Sequence, residues 1–109
     1  MTAIISLNGL MEVIGNHWRF DGQNYRGYDQ LDKRGKQLFP LKHTVLHYNK
    51  SLGALAAEAE KADHGDPVDN EALRVATTKM LATTLNLANH LGMTPRELAE
   101  AAETIVRQV

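Results

Sequence analysis

The chain has no cysteine. Disulfides, thiolate metal sites and cysteine nucleophiles are therefore excluded, and thiol usage says nothing about the redox compartment. A dominant charge is also missing. Twelve basic and thirteen acidic residues give a formal net charge of -1, without the basic excess that a general nucleic-acid binder needs. No apolar run approaches the roughly 18 residues that would span a bilayer. The opening stretch from Met1 to Gly15 carries no basic n-region and is interrupted at Asn8-Gly9. A Gly-rich phosphate loop, a Ser-His-Asp arrangement and a nucleic-acid motif are absent too. These gaps lead to the expectation of a cytoplasmic protein with no nucleic-acid and no membrane partner.

What remains is an ordinary globular composition, 43% hydrophobic and 23% charged over 109 residues, enough for one domain. A chain this short builds a modest core, and self-association would help to complete it. Ile4, Leu7, Met11 and Ile14 recur as one helix face would. Asn8-Gly9 between apolar runs is the competing hairpin signal. From Asn16 to Pro40 the pattern is irregular. It holds Trp18, Phe20, Tyr25, Tyr28 and Phe39, leaving Tyr48 as the one aromatic outside it. Such rings fold back on a core or pack on a partner.

Leu41 to Asp63 reads as a long helix with Pro40 at its start. Leu41, Val45, Tyr48, Leu52, Leu55, Ala59 and Ala62 form a narrow seam of the coiled-coil kind, which wants another helix against it. Gly65 supplies the stop. Asp66, Asp69 or Asn70 can cap the next helix, which runs to about Leu91, with Gly92 past its end. Thr94-Pro95-Arg96-Glu97 is a capping box with proline at the first helical position. It opens a last helix with Leu98, Ala102, Ile105 and Val109 on one face. The expected fold is all-α. An antiparallel helical hairpin with short helices would form a four-helix-bundle type core on dimerisation. Residues 1–40 would be an N-terminal arm and 41–109 the helical core.

The stretch His47-Tyr48-Asn49-Lys50-Ser51-Leu52-Gly53-Ala54-Leu55-Ala56 resembles the first helix motif of the MazG-like all-α nucleotide pyrophosphohydrolases. Leu85-Asn86-Leu87-Ala88-Asn89-His90-Leu91-Gly92-Met93 resembles the end of that family's second metal-binding helix, and Thr94-Pro95-Arg96-Glu97-Leu98 follows as it does there. The resemblance covers roughly Leu41 to Val106. It implies a helical nucleotide site in which clustered carboxylates hold Mg²⁺ and activate a water that splits off pyrophosphate. The carboxylate positions fall here on Lys50, Ser51, Ala54, Ala76 and Lys79, none of them acidic. The resemblance is thus to a divergent member without the acidic metal-binding motif. No catalytic residue and no cofactor are expected, Mg²⁺ entering only if a displaced set of acids such as Glu58, Glu60 and Glu71 acts instead.

Lys50 and Lys79, with His47, are the expected anion-binding residues, since an ammonium group can hold a phosphate where a metal is missing. The plainer reading of the two lysines is a solvated or ion-paired surface. His43 and His47 stand four apart, a spacing two metal ligands can use. His90 returns toward the same end of the hairpin. Capping, packing or solvation is the plainer account of these rings, and no metal ligand set is assigned. Trp18 and Phe20 can stack on a base, although a lone Trp is more often core. Three functions stay open. The first is a catalytically degenerate MazG-like protein that binds a nucleotide or phosphorylated ligand, or acts as an assembly module. The others are an active nucleoside triphosphate pyrophosphohydrolase with displaced acids and a structural helical interaction protein. A homodimer or higher homo-oligomer is expected.

Overall fold

The computed structural model describes residues 6–108. Among them there are four α-helices and no strand: α1 Leu7–His17, α2 Lys33–Asp63, α3 Asn70–His90 and α4 Pro95–Arg107. A short 3₁₀ turn, Tyr28–Gln30, precedes α2. No described helix is long and apolar enough to cross a membrane. Over Leu7–His17 the helix alternative is the one observed. Ser6 caps α1 by accepting the Gly9 N–H. Ile4, assigned to the same face, lies outside the described residues, as does Val109 on the last helix.

The joints follow from local chemistry. Gly65 and Gly92 adopt φ of 75° and 73°, the left-handed conformation that a residue without Cβ takes at little cost. Each closes its helix with paired bonds. Gly65 donates to the Ala62 carbonyl and Asp66 to that of Lys61, while Gly92 donates to Asn89 and Met93 to Ala88. Asp69, not Asp66, caps α3 by accepting from Ala72. Thr94 and Glu97 form the reciprocal box at the head of α4.

The N-terminal boundary of α2 differs from the sequence expectation. The helix begins at Lys33, capped by Asp32, and Pro40 stands inside it. An internal proline removes one helical bond and costs about 3 kcal/mol. Pro40 is fully buried, so packing offsets that loss. Its own carbonyl is used twice over, because the Thr44 hydroxyl donates to it at 2.7 Å.

α2 and α3 pack as an antiparallel hairpin, and α1 lies across the back of α3. Met11 and Ile14 meet Leu85 and Ala88 in the apolar core, with Leu7, Ala82, Met93 and Leu98 around it. Asn89 fastens the two helices by donating to the Met11 carbonyl at 2.8 Å. Facing α3, the buried line of α2 is Pro40, Thr44, Ser51 and Glu58. Leu41, Val45, Leu52 and Ala59 each follow one of those residues by one position, about 100° around the helix. These four seam residues are therefore turned away from the contact line and stay exposed, while Tyr48 and Leu55 of the same seam are half-buried, Tyr48 bonding to Thr84 of α3. Trp18 is not core either. It is the C-cap residue of α1 and is 45% exposed.

Candidate functional site

The irregular aromatic segment is a tightly bonded turn. The Asp21 carboxylate accepts the N–H groups of Gln23 and Asn24 at 3.0 and 3.1 Å. The Asn24 side chain donates to the Arg19 carbonyl at 2.7 Å, and the Tyr25 N–H returns to Asp21 O. These bonds bring Phe20 and Tyr25 against the N-terminal half of α2. Tyr25 packs on Phe39 and His43 with ring centroids 4.9 and 4.6 Å apart. Phe39 stacks nearly parallel to His43, at 5.4 Å and 12°.

Between this turn and the hairpin lies a cavity of about 360 Å³. It is lined by Trp18, Phe20, Tyr25, His43, Thr44, His47, Thr83 and Asn86. The Trp18 ring comes from the end of α1, the Phe20 and Tyr25 rings come from the turn, and the polar groups come from α2 and α3. His43 and His47 face each other with their Nε2 atoms 2.8 Å apart, so one ring donates and the other accepts. Burial pushes the His43 pKa down, helped by neighbouring His47 and then Lys50, and the ring is neutral at pH 7. Burial raises the Tyr25 pKa, with Asp21 adding to the effect. The phenol is protonated.

His47 lines this cavity, and Lys50 is near enough to act on His43 electrostatically. Lys79 is exposed on α3 and does not line the cavity. His90 does not join the His43–His47 pair, because the Phe20 ring packs against both His43 and His90, at 6.2 and 6.0 Å. Tyr25, Thr44, Thr83 and Asn86 were not readable as site residues. Thr44, Thr83 and Asn86 share only the signal of a polar residue near an apolar helix line, which most helices carry, and Tyr25 lies in the irregular turn.

The positions that the family resemblance assigns to metal ligands do not fit a hard cation. Ser51 and Ala76 are buried in the hairpin, while Lys50, Ala54 and Lys79 are exposed. Two ammonium groups and two methyls offer no lone pair for Mg²⁺. Glu58 is buried, accepts the Asp69 N–H at 2.7 Å and pairs with Lys61 at 3.0 Å. Those two contacts, the Asp69 N–H foremost, hold its carboxyl below the usual carboxylate range. Glu60 stands 3.9 Å from His64, and Glu71 is exposed in the first turn of α3. Among the described residues no three His, Asp or Glu side chains gather into a metal-holding group.

Comparisons with protein families, curated proteins and solved structures return no match.

Proposed function

We propose that this is a catalytically degenerate MazG-like protein that binds a nucleotide or a similar phosphorylated heteroaromatic ligand, and that it works as a homo-oligomer. The observation that carries the binding reading is the cavity between the aromatic turn and the hairpin. Its volume of about 360 Å³ falls in the lower part of the range typical of small-molecule sites. Trp18, Phe20 and Tyr25 offer flat apolar surface for a base, and stacking is worth about 1–3 kcal/mol per base. Asn86, buried at the cavity wall, offers both a donor and an acceptor to a base edge.

The phosphate end is read from the flank of the hairpin. His47 and Lys50 precede buried Ser51 by four positions and by one, and Lys79 follows buried Ala76 by three. On antiparallel helices these offsets place all three on one side, about 40–100° from the contact line. Lys50 is close enough to His43 to act on its charge, and Lys79 extends the positive flank. The cytoplasmic assignment accompanies this reading, since nucleotides are plentiful there.

Self-association is supported by uncovered surface. The accessible area is 8511 Å², against about 6,000 Å² for a compact monomer of this mass. The radius of gyration is 16.7 Å, against about 13 Å for a compact domain of this length. On the face opposite His47 and Lys50, the Tyr48–Thr84 hydrogen bond sets the register of the hairpin. That register brings Leu41 level with Leu91 and Leu52 level with Leu81, and all four are at least half exposed. A second copy laid on this face would complete a four-helix bundle. Such an interface needs about 800 Å² per partner, less than the excess area.

Isothermal titration with nucleosides, nucleoside monophosphates and nucleoside triphosphates, with and without Mg²⁺, tests the reading. The expected result is salt-sensitive binding that does not need Mg²⁺. Lys50→Ala should weaken the phosphorylated ligands and spare the nucleosides. Mg²⁺-dependent release of pyrophosphate would favour the displaced-acid enzyme. Absence of binding to every ligand would leave the structural helical protein.

A further inference from the structure

The His43–His47 pair does more than line the cavity. The two Nε2 atoms lie 2.8 Å apart on successive turns of α2, one ring donating to the other. With metal–nitrogen bonds of about 2.0–2.1 Å, that separation corresponds to a bite angle of about 85–90°. Tetrahedral ligation of zinc would instead require nitrogens about 3.3 Å apart at the same bond lengths. The right-angled bite suits the tetragonal and octahedral preferences of Ni(II) and Cu(II).

We propose that His43 and His47 form a two-imidazole chelate for Ni(II) or Cu(II), with water in the remaining positions. The metal replaces the hydrogen bond between the rings. The ring that donates from Nε2 moves its proton to Nδ1, both Nε2 lone pairs turn to the metal, and no net proton is released. His43 is held in place by Phe39 stacked on one side and by Tyr25 at its edge, so ligation costs little ring ordering. Thr44, Thr83 and Asn86 line the same cavity and can accept from or donate to metal-bound water. Lys50 opposes the metal, because a cation nearby repels a second one. This is the reverse of its part in phosphate binding, and the metal inference does not depend on that reading.

The test is titration of the full chain, carrying no affinity tag, with NiCl₂, ZnCl₂ and CuSO₄, each alone. Calorimetry gives affinity, and electron paramagnetic resonance of the copper form counts ligating nitrogens. Expected are one Ni(II) per chain, bound more tightly than Zn(II), and two imidazole nitrogens on copper. His47→Gln should weaken Ni(II) at least tenfold with the helical circular dichroism unchanged, since the residue is exposed. Lys50→Gln should strengthen Ni(II) severalfold while weakening inorganic phosphate. Zn(II) bound as tightly as Ni(II), a copper signal unaltered by His47→Gln, or Ni(II) affinity unmoved in either variant would overturn the proposal.

Discussion

Glu58 accepts the backbone N–H of Asp69 at 2.7 Å, across the turn that joins α2 to α3. The same carboxylate pairs with Lys61, and Asp69 in turn caps α3 through Ala72. One buried acid thus fastens the end of one helix to the start of the next. Glu58→Ala should lower the melting temperature, and Glu58→Gln should lower it less, because an amide oxygen still accepts the Asp69 N–H. If Glu58 were instead a displaced catalytic acid, Glu58→Gln would abolish pyrophosphate release at unchanged stability. Thermal denaturation beside an activity assay separates the two.

Acid should act in two steps. The folded-state pKa of His43 is lowered by burial, His47 and Lys50. Between that value and the unfolded value near 6.5 the unfolded chain binds more protons, so stability falls as pH drops through that window. Glu58 is also lowered, by the Asp69 N–H and Lys61, so a second loss follows below the ordinary carboxylate value of 4.5. His43→Gln should remove the upper step from a plot of melting temperature against pH. Glu58→Gln should remove the lower one.

Gly65 and Gly92 hold positive φ with nothing near the place a Cβ would occupy. The cost of Gly65→Ala or Gly92→Ala is therefore backbone strain alone, about 1–2 kcal/mol each. Gly53, inside α2 and also in open space, is the control. Gly53→Ala should raise stability by roughly 0.5–1 kcal/mol. Urea unfolding of the three variants measures these differences.

The legible parts of the fold were those written in local chemistry. Gly92, Thr94, Pro95 and Glu97 fix the end of α3 and the start of α4, and their bonds are all within a few residues. The start of α2 was missed because Pro40 resembles a first-turn proline, while the actual signal is Asp32 accepting from Gly35. Burial of Pro40, which lets the helix run through it, is a tertiary fact. His47 was pointed to by its spacing from His43, and Lys50 by the family resemblance. The cavity was not, because it depends on where the Asp21 turn aims Phe20 and Tyr25, and no periodicity encodes that. Trp18 went to the wrong environment for the same reason.

The exposed leucines allow a direct test of assembly. Leu52→Lys with Leu81→Lys places charge at the centre of the face built around Tyr48 and Thr84. Light scattering should show a dimer or larger species for the natural chain and a monomer for the double variant, with helical content kept. A natural chain that is monomeric at micromolar concentration would contradict the proposed interface.

If the aromatic cavity takes a base as proposed, Trp18 reports on it directly. It is the chain's one tryptophan, lies at the cavity wall and is 45% exposed. Its fluorescence should therefore be followed while nucleoside monophosphate is added in the absence of Mg²⁺. The expected result is saturable quenching by the nucleotide, none by inorganic phosphate, and a loss of most of the effect in Phe20→Ala. Nucleotide binding that is measurable by calorimetry but leaves Trp18 emission unchanged would contradict it.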